Sequence, residues 1–326
     1  MLRTPRPSAS EPRLICVVGP TAVGKTRLAV SLAQRFSGEI INADSRQVYR
    51  GMDIGTAKPT APEQALAPHH LVDFVDISED PSERFGLAVF LDLARRAADE
   101  IRDRGHLPIV SGGTGQYVWG LIEGKGVPQV PADPAFRRAM EEEAAADGGQ
   151  ALHRRLQEID PARAAKLDPR NVRRVVRALE IHQATGDKPS EFSTGQDAPF
   201  NSLVLGLTMD RKALYRRVDE RVDQMMEDGL LAEVETLAAA GHSPGEGPLG
   251  SPGYRELGLY LSGQLSLVEA VQRTKTQTHR LVRRQYNWFK LNDPRIHWLD
   301  AAGSGVDQEA AELVAAFLNA DTPVIQ

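Results

Sequence analysis

One cysteine, Cys16, stands among 326 residues. A single thiol excludes an internal disulfide and a multi-cysteine zinc site, and it fits a reducing cytoplasm, with Cys16 itself read as a small buried strand residue. No apolar run approaches the roughly 20 residues needed to span a membrane, so no membrane partner is expected and a cytoplasmic location is. The stretch from Met1 to Arg13 is rich in Pro, Ser and Arg but has no apolar segment, which predicts a frayed tail and not a signal peptide. An excess of positive charge is missing too. With 39 Lys and Arg against 44 Asp and Glu the net charge is −5, so any nucleic-acid surface has to be local. No internal repeat is visible, and the length leaves room for more than one domain at roughly 100 to 200 residues each.

What the chain does carry is the loop Gly19-Pro20-Thr21-Ala22-Val23-Gly24-Lys25-Thr26. Its glycines let backbone N–H groups approach an anion, Lys25 adds a fixed positive charge, and Thr26 can place its hydroxyl on Mg2+. The apolar run Leu14 to Val18 before it reads as a buried strand and Arg27 to Phe36 after it as an amphipathic helix. The loop thus lies at a strand-to-helix junction, with the helix dipole aimed at the ligand. Such a cradle holds a phosphate or diphosphate; it does not say what is done to it.

Glu39 to Ala43 reads as a second strand that delivers Asp44 and Ser45 to the carboxyl edge of the sheet, where open α/β sheets bind ligands. Asp44 is therefore a candidate general base or magnesium holder, with a helix N-cap as the competing role. Arg50 to Pro59 is a Gly-punctuated loop whose two basic residues are expected to face substrate. His69 to Asp76 looks like an alternating strand, and its paired histidines have no third ligand at metal spacing. Gly86 to Arg104 has helical apolar spacing, and Leu107 to Val110 is the next strand, ending at Ser111-Gly112-Gly113-Thr114-Gly115, where Thr114 offers a hydroxyl. Strand, helix and strand in this order predict a doubly wound parallel sheet.

Two glycines and three prolines in Gly124 to Pro134 mark a boundary. Phe136 to about Ala184 is helical in pattern and rich in arginine, among them Arg173, Arg174 and Arg177 on one stripe, which by itself reads as a solvated face. Leu203 to Leu207 returns to strand, so the helical segment reads as an insertion. Arg217 and Arg221 share a face of the helix that follows, and one of them could reach an anion. Gln272 to Lys290 holds six cations and no acid, interleaved with His279, Tyr286 and Trp288. That mixture suits a nucleic-acid backbone and unstacked bases. These residues leave open a small-molecule kinase using ATP, with Asp73 or Asp76 as a second magnesium carboxylate, a transferase using another phosphorylated donor, and a binding module without catalysis.

The chain resembles the tRNA dimethylallyltransferase family from Leu14 to about Leu299. The likeness rests on the phosphate loop together with Asn42-Ala43-Asp44-Ser45-Arg46-Gln47-Val48-Tyr49, Gly51 to Pro59, Gly112-Gly113-Thr114-Gly115, Gly253-Tyr254-Arg255-Glu256, and Arg283-Arg284-Gln285 before Trp288-Phe289. The resemblance implies a phosphate-loop NTPase-like α/β fold, with a parallel sheet, helices on both faces, a core of 1–125 and 198–326 and an inserted helical domain over 126–197. It implies that dimethylallyl diphosphate occupies the cradle with Mg2+ at Thr26, and that the acceptor is N6 of the adenosine 3′ to the anticodon. By likeness Asp44 is the general base, Thr21 bonds the leaving diphosphate, and Arg217 neutralises it. Asp44, Ser45, Arg46, Gln47, Thr114, Arg137, Asn171, Arg173, Arg174, Tyr254, Arg255, Arg280, Arg283 and Arg284 match positions that contact the tRNA anticodon stem-loop. A monomer is expected. Gln116 stands where the family commonly has Leu, and His279 where it has Arg. No cysteine pair near the C-terminus matches the zinc finger of eukaryotic relatives, which implies the bacterial type.

Overall fold

β1 (Arg13–Val18) is apolar at consecutive positions, the pattern of a strand covered on both faces. Leu14 to Val18 have no exposed surface, and burial of Cys16 pushes its thiol above the usual range. This is a computed structural model, and it describes residues 12–79, 85–124, 126–128, 130–193 and 198–320. Most of the expected N-terminal tail lies outside these residues, although Arg13 is already strand.

The other strands are β2 (Gly38–Asn42), β3 (His69–His70), β4 (Leu107–Gly112), β5 (Asn201–Thr208) and β6 (Ile296–Asp300). They form one six-stranded sheet in the order β3-β2-β4-β1-β5-β6, and every pairing is parallel. In chain order the helices are α1 (Lys25–Phe36), α2 (Ala61–Leu66), α3 (Leu87–Asp103), α4 (Gly115–Ile122), α5 (Pro134–Ala145), α6 (Gln150–Ile159), α7 (Pro161–Ala164), α8 (Val172–Thr185), α9 (Arg211–Glu227), α10 (Leu230–Ala239), α11 (Tyr254–Leu261), α12 (Leu267–Trp288) and α13 (Val306–Asn319).

The described residues fall into two compact units, one within the bounds Met1–Pro81, Leu91–Ile122 and Phe200–Gln326, the other within Ser82–Phe90 and Glu123–Pro199. In the first, Ile15 and Val17 pack with Leu28 and Leu32 of α1 and Val314 of α13. The alternate residues Leu14, Cys16 and Val18 are equally buried on the opposite face. In the second, Leu152, Leu156, Val175, Val176 and Leu179 form a separate helical core. There Asp160, fully buried, caps α7 through Arg163 N–H at 2.9 Å and also accepts from Ser190 N–H at 2.7 Å.

The segment 69–76 departs from the expected strand. Only His69 and His70 pair with β2, because Leu71 and Asp73 take positive φ of 59° and 57°, which no extended strand tolerates. The chain turns there and rejoins by a lone bridge between Tyr49 and Val75.

Candidate active site

All the chemistry-bearing loops of the first unit leave the carboxyl ends of strands. β1 runs into the phosphate loop, where Gly19 has φ 141° and a Cβ would meet Leu207 O at 2.5 Å. Gly24, at φ 106°, starts α1 without any side-chain cap, so the first-turn N–H groups point outward for an anion. Lys25 Nζ donates to Pro20 O at 2.8 Å. Burial lowers the Lys25 ammonium to about 8, with Asp44 opposing that shift and Arg221 adding to it.

β2 delivers Asp44 beside this loop. Gly112, the last residue of β4, lies so near that a Cβ would meet Ala43 O at 2.2 Å, and Thr114 N–H donates to that same oxygen at 3.2 Å. Thr114 Oγ1 accepts from Ser45 N–H at 3.1 Å. Asp44 Oδ1 accepts from Arg46 N–H at 2.9 Å, so it closes a turn, not a helix start. One carboxylate oxygen is used and the other is left to the cavity.

That cavity measures about 1030 Å³. Thr21, Lys25, Thr26, Asp44, Arg217 and Arg221 share its wall. Arg217 reaches over the loop, its Nη2 being 3.9 Å from where a Cβ on Gly24 would stand. Arg221, which sequence spacing merely pairs with Arg217, is the further cation of the site. Burial and the like charge of Arg217 lower its guanidinium, against Glu63 and Asp44. Four-residue spacing on α9 was the available signal; only the fold shows both arginines facing the loop.

The loop Arg50 to Pro59 forms another wall through Asp53 to Pro59, and its two cations, expected to face substrate, are bonded within the protein: Arg50 Nε donates to Asp73 O at 3.3 Å. Lys58 is bonded to Tyr49 O at 2.8 Å, to Asp73 at 2.6 Å and to Asp53. Gln47 Nε2 holds Ala57 O at 2.9 Å and Thr56 O at 3.1 Å. A residue the sequence did not single out organises the turn: Glu233 of α10 accepts from the N–H groups of Asp53, Ile54 and Gly55 at 3.0, 2.7 and 3.1 Å. Tyr254, expected at the tRNA surface, has no exposed area and donates its hydroxyl to Glu233. Its side chain supports the loop and offers no face to RNA. Arg255 Nε donates to Glu256 at 3.1 Å.

On α12, Arg280, Arg283 and Arg284 are exposed. The stretch lacks acids in its own sequence, but α9 supplies two: Lys275 pairs with Asp223 at 2.7 Å, and His279 lies 2.9 Å from Asp219 and stacks on Tyr215. In the second unit Asn171, Arg173 and Arg174 are exposed, whereas Arg137 is held by two bonds to buried Glu180, at 2.8 and 2.9 Å. Gln116 is exposed, and Ser45 and Arg46 are half-buried.

The sequence profile of the IPP transferase family matches residues 47–292, and that of isopentenyl transferase matches 12–68. The chain belongs to the IPP transferase family. A tRNA dimethylallyltransferase of a Roseiflexus species is 48% identical over 307 residues, spanning 94% of this chain and 99% of the relative. Among solved structures of the family, a tRNA isopentenylpyrophosphate transferase from Bacillus halodurans matches with a TM-score of 0.69 at 42% identity, over 95% of this chain and 97% of that one. A eukaryotic dimethylallyltransferase acting on tRNA matches with a TM-score of 0.79 at 31% identity, over 97% and 81%. The family fold is the phosphate-loop NTPase-like α/β sheet found here.

Proposed function

We propose that this chain transfers a dimethylallyl group from dimethylallyl diphosphate to N6 of the adenosine 3′ to the anticodon in tRNA, releasing diphosphate. The observation that carries the reading is one cavity holding both the Asp44 carboxylate and the cations Lys25, Arg217 and Arg221 over the phosphate loop. The N6 lone pair attacks C1 of the donor as the C1–O bond breaks. The proton leaving N6 goes to the open oxygen of Asp44. Negative charge gathers on the departing diphosphate, where loop N–H groups, Lys25, Arg217 and Arg221 offset it in place. Thr21 flanks that leaving group.

Magnesium fits here in a limited way. Thr26 lines the same cavity as Asp44, and no cluster of three or more His, Cys, Asp or Glu suited to a metal lies among the described residues. Thr26 would hold the ion together with diphosphate oxygens and water, as Mg2+ commonly binds, and the ion would add charge neutralisation at the leaving group.

The acceptor adenine has to leave its stack to enter, a cost of roughly a few kcal/mol that is lower in a loop than in a duplex. Exposed Arg280, Arg283 and Arg284, with Asn171, Arg173 and Arg174, supply backbone contacts for the anticodon arm. The kinase alternative loses its magnesium carboxylates: Asp73 is bound by Lys58, and Asp76 accepts from Ser78 N–H and hydroxyl at 2.8 and 2.6 Å. Incubation with labelled dimethylallyl diphosphate and tRNA tests the reading. Label in tRNA without ATP is expected, and no transfer with any tRNA refutes it.

A further inference from the structure

Gln285 lies on α12 directly after exposed Arg283 and Arg284, yet it points inward and is 7% exposed. Its Oε1 accepts from Thr21 N–H at 2.8 Å. Its Nε2 donates to Gly113 O at 3.3 Å. The backbone N–H can only donate and the carbonyl can only accept, so the two partners fix the orientation of the amide. A Cβ on Gly113 would lie 2.2 Å from Nε2, so a larger residue there would displace the amide.

The two backbone groups belong to the two halves of the site. Thr21 is in the loop that receives the leaving group. Gly113 precedes Thr114, whose hydroxyl carries the Ser45 N–H next to Asp44. One buried amide therefore spans from the leaving-group end to the strand edge that carries the base, and it is anchored on the helix that presents the arginines.

We infer that Gln285 is a positioning residue for the transfer, setting the phosphate loop at Thr21 against the Gly113–Thr114 turn that places Asp44. The inference rests on the transferase reading above. In-line displacement needs nucleophile, carbon and leaving oxygen aligned, and a displacement of about 1 Å can cost roughly a hundredfold in rate. A residue acting this way alters kcat without touching the RNA surface.

The test compares purified wild type with Gln285→Leu, Gln285→Glu and Gly113→Ala in the tRNA transfer assay, with tRNA affinity measured separately. Gln285→Leu is expected to lower kcat about ten- to a hundredfold while tRNA affinity stays within about twofold, since the arginines remain. Gln285→Glu adds a readout that mere loss of packing does not move. When protonated, the Glu carboxyl keeps both bonds; when ionised, it faces Gly113 O and loses one. Its kcat relative to wild type should therefore rise as pH falls through the carboxyl pKa, which burial raises. Gly113→Ala displaces the amide with Gln285 retained and covers the case where both Gln285 variants fail to fold; it should show the same kcat loss. Wild-type kcat in folded Gln285→Leu or Gly113→Ala, or a Gln285→Glu ratio flat with pH, overturns the inference. Failure of wild type itself to transfer label overturns the transferase reading instead.

Discussion

The Tyr254 hydroxyl donates to Glu233 Oε1 at 2.6 Å, and the same carboxylate gathers the N–H groups of Asp53, Ile54 and Gly55. Burial and the Glu233 charge push the Tyr254 hydroxyl above its usual range, so it remains a donor. The tyrosine ring also lies where a Cβ on Gly55 would be, 2.5 Å away. Tyr254→Phe keeps the ring and removes one charge-assisted bond, which should cost about 1.5–3 kcal/mol of stability in chemical denaturation. Affinity for tRNA should not change. Glu233→Ala should cost more, because four donors then lose their acceptor.

Asp44→Asn should reduce kcat far more than it weakens tRNA binding, because it removes the proton acceptor and keeps the turn bond to Arg46 N–H. Single-turnover transfer and a separate tRNA titration check this. Equal losses in both would make Asp44 an RNA contact alone.

Lys25 gives diphosphate binding a pH dependence. Its ammonium is at about 8 in the free protein, and a bound diphosphate favours the charged form and raises that value. The cation's contribution to affinity is fully present below pH 8 and is lost as pH rises from 8 toward the value in the complex. Calorimetry with inorganic diphosphate should show proton uptake near pH 9, and Lys25→Met should abolish it.

Arg283→Ala and Arg284→Ala should each weaken all tRNAs alike. Together they should reduce the slope of log affinity against log salt by about 0.7 to 0.9 for each phosphate that is no longer neutralised. An unchanged slope would mark this face of α12 as merely solvated.

Glu39 makes stability depend on acid. Arg104 donates to it at 3.0 and 2.7 Å, and His106 and His70 nitrogens lie 2.6 Å away. Hydrogen bonding by Arg104 first, then by the two histidines, brings the carboxyl down to about 2 against the cost of burial. Its stabilisation is present above the unfolded value of 4.5 and is lost as pH falls toward 2, an amount of up to about 3 kcal/mol. Glu39→Gln should remove that part of the acid dependence in denaturation midpoints measured between pH 5 and 3, sampling roughly the upper half of the window.

The strand, loop and helix around Gly19 to Thr26 were legible in the sequence because the apolar run, the glycines and the helical spacing are local signals. The same holds for β2, β4 and β5, and for Asp44 at a strand's carboxyl end. The strand expected over 69–76 failed because positive φ at Leu71 and Asp73 leaves no mark in an alternating pattern. The basic face of α12 looked free of acids because its partners, Asp219 and Asp223, lie on another helix. Tyr254 and Lys58 looked like surface residues for a similar reason, since burial follows from what packs on a residue and not from its type. Sequence alone thus determined the phosphate cradle, the sheet that carries it and the residue types of the site. Tertiary structure decided which side chains face the cavity and which hold its walls: Arg221, Glu233 and Gln285 act on segments about 180 to 260 residues distant, a separation that no periodicity spans.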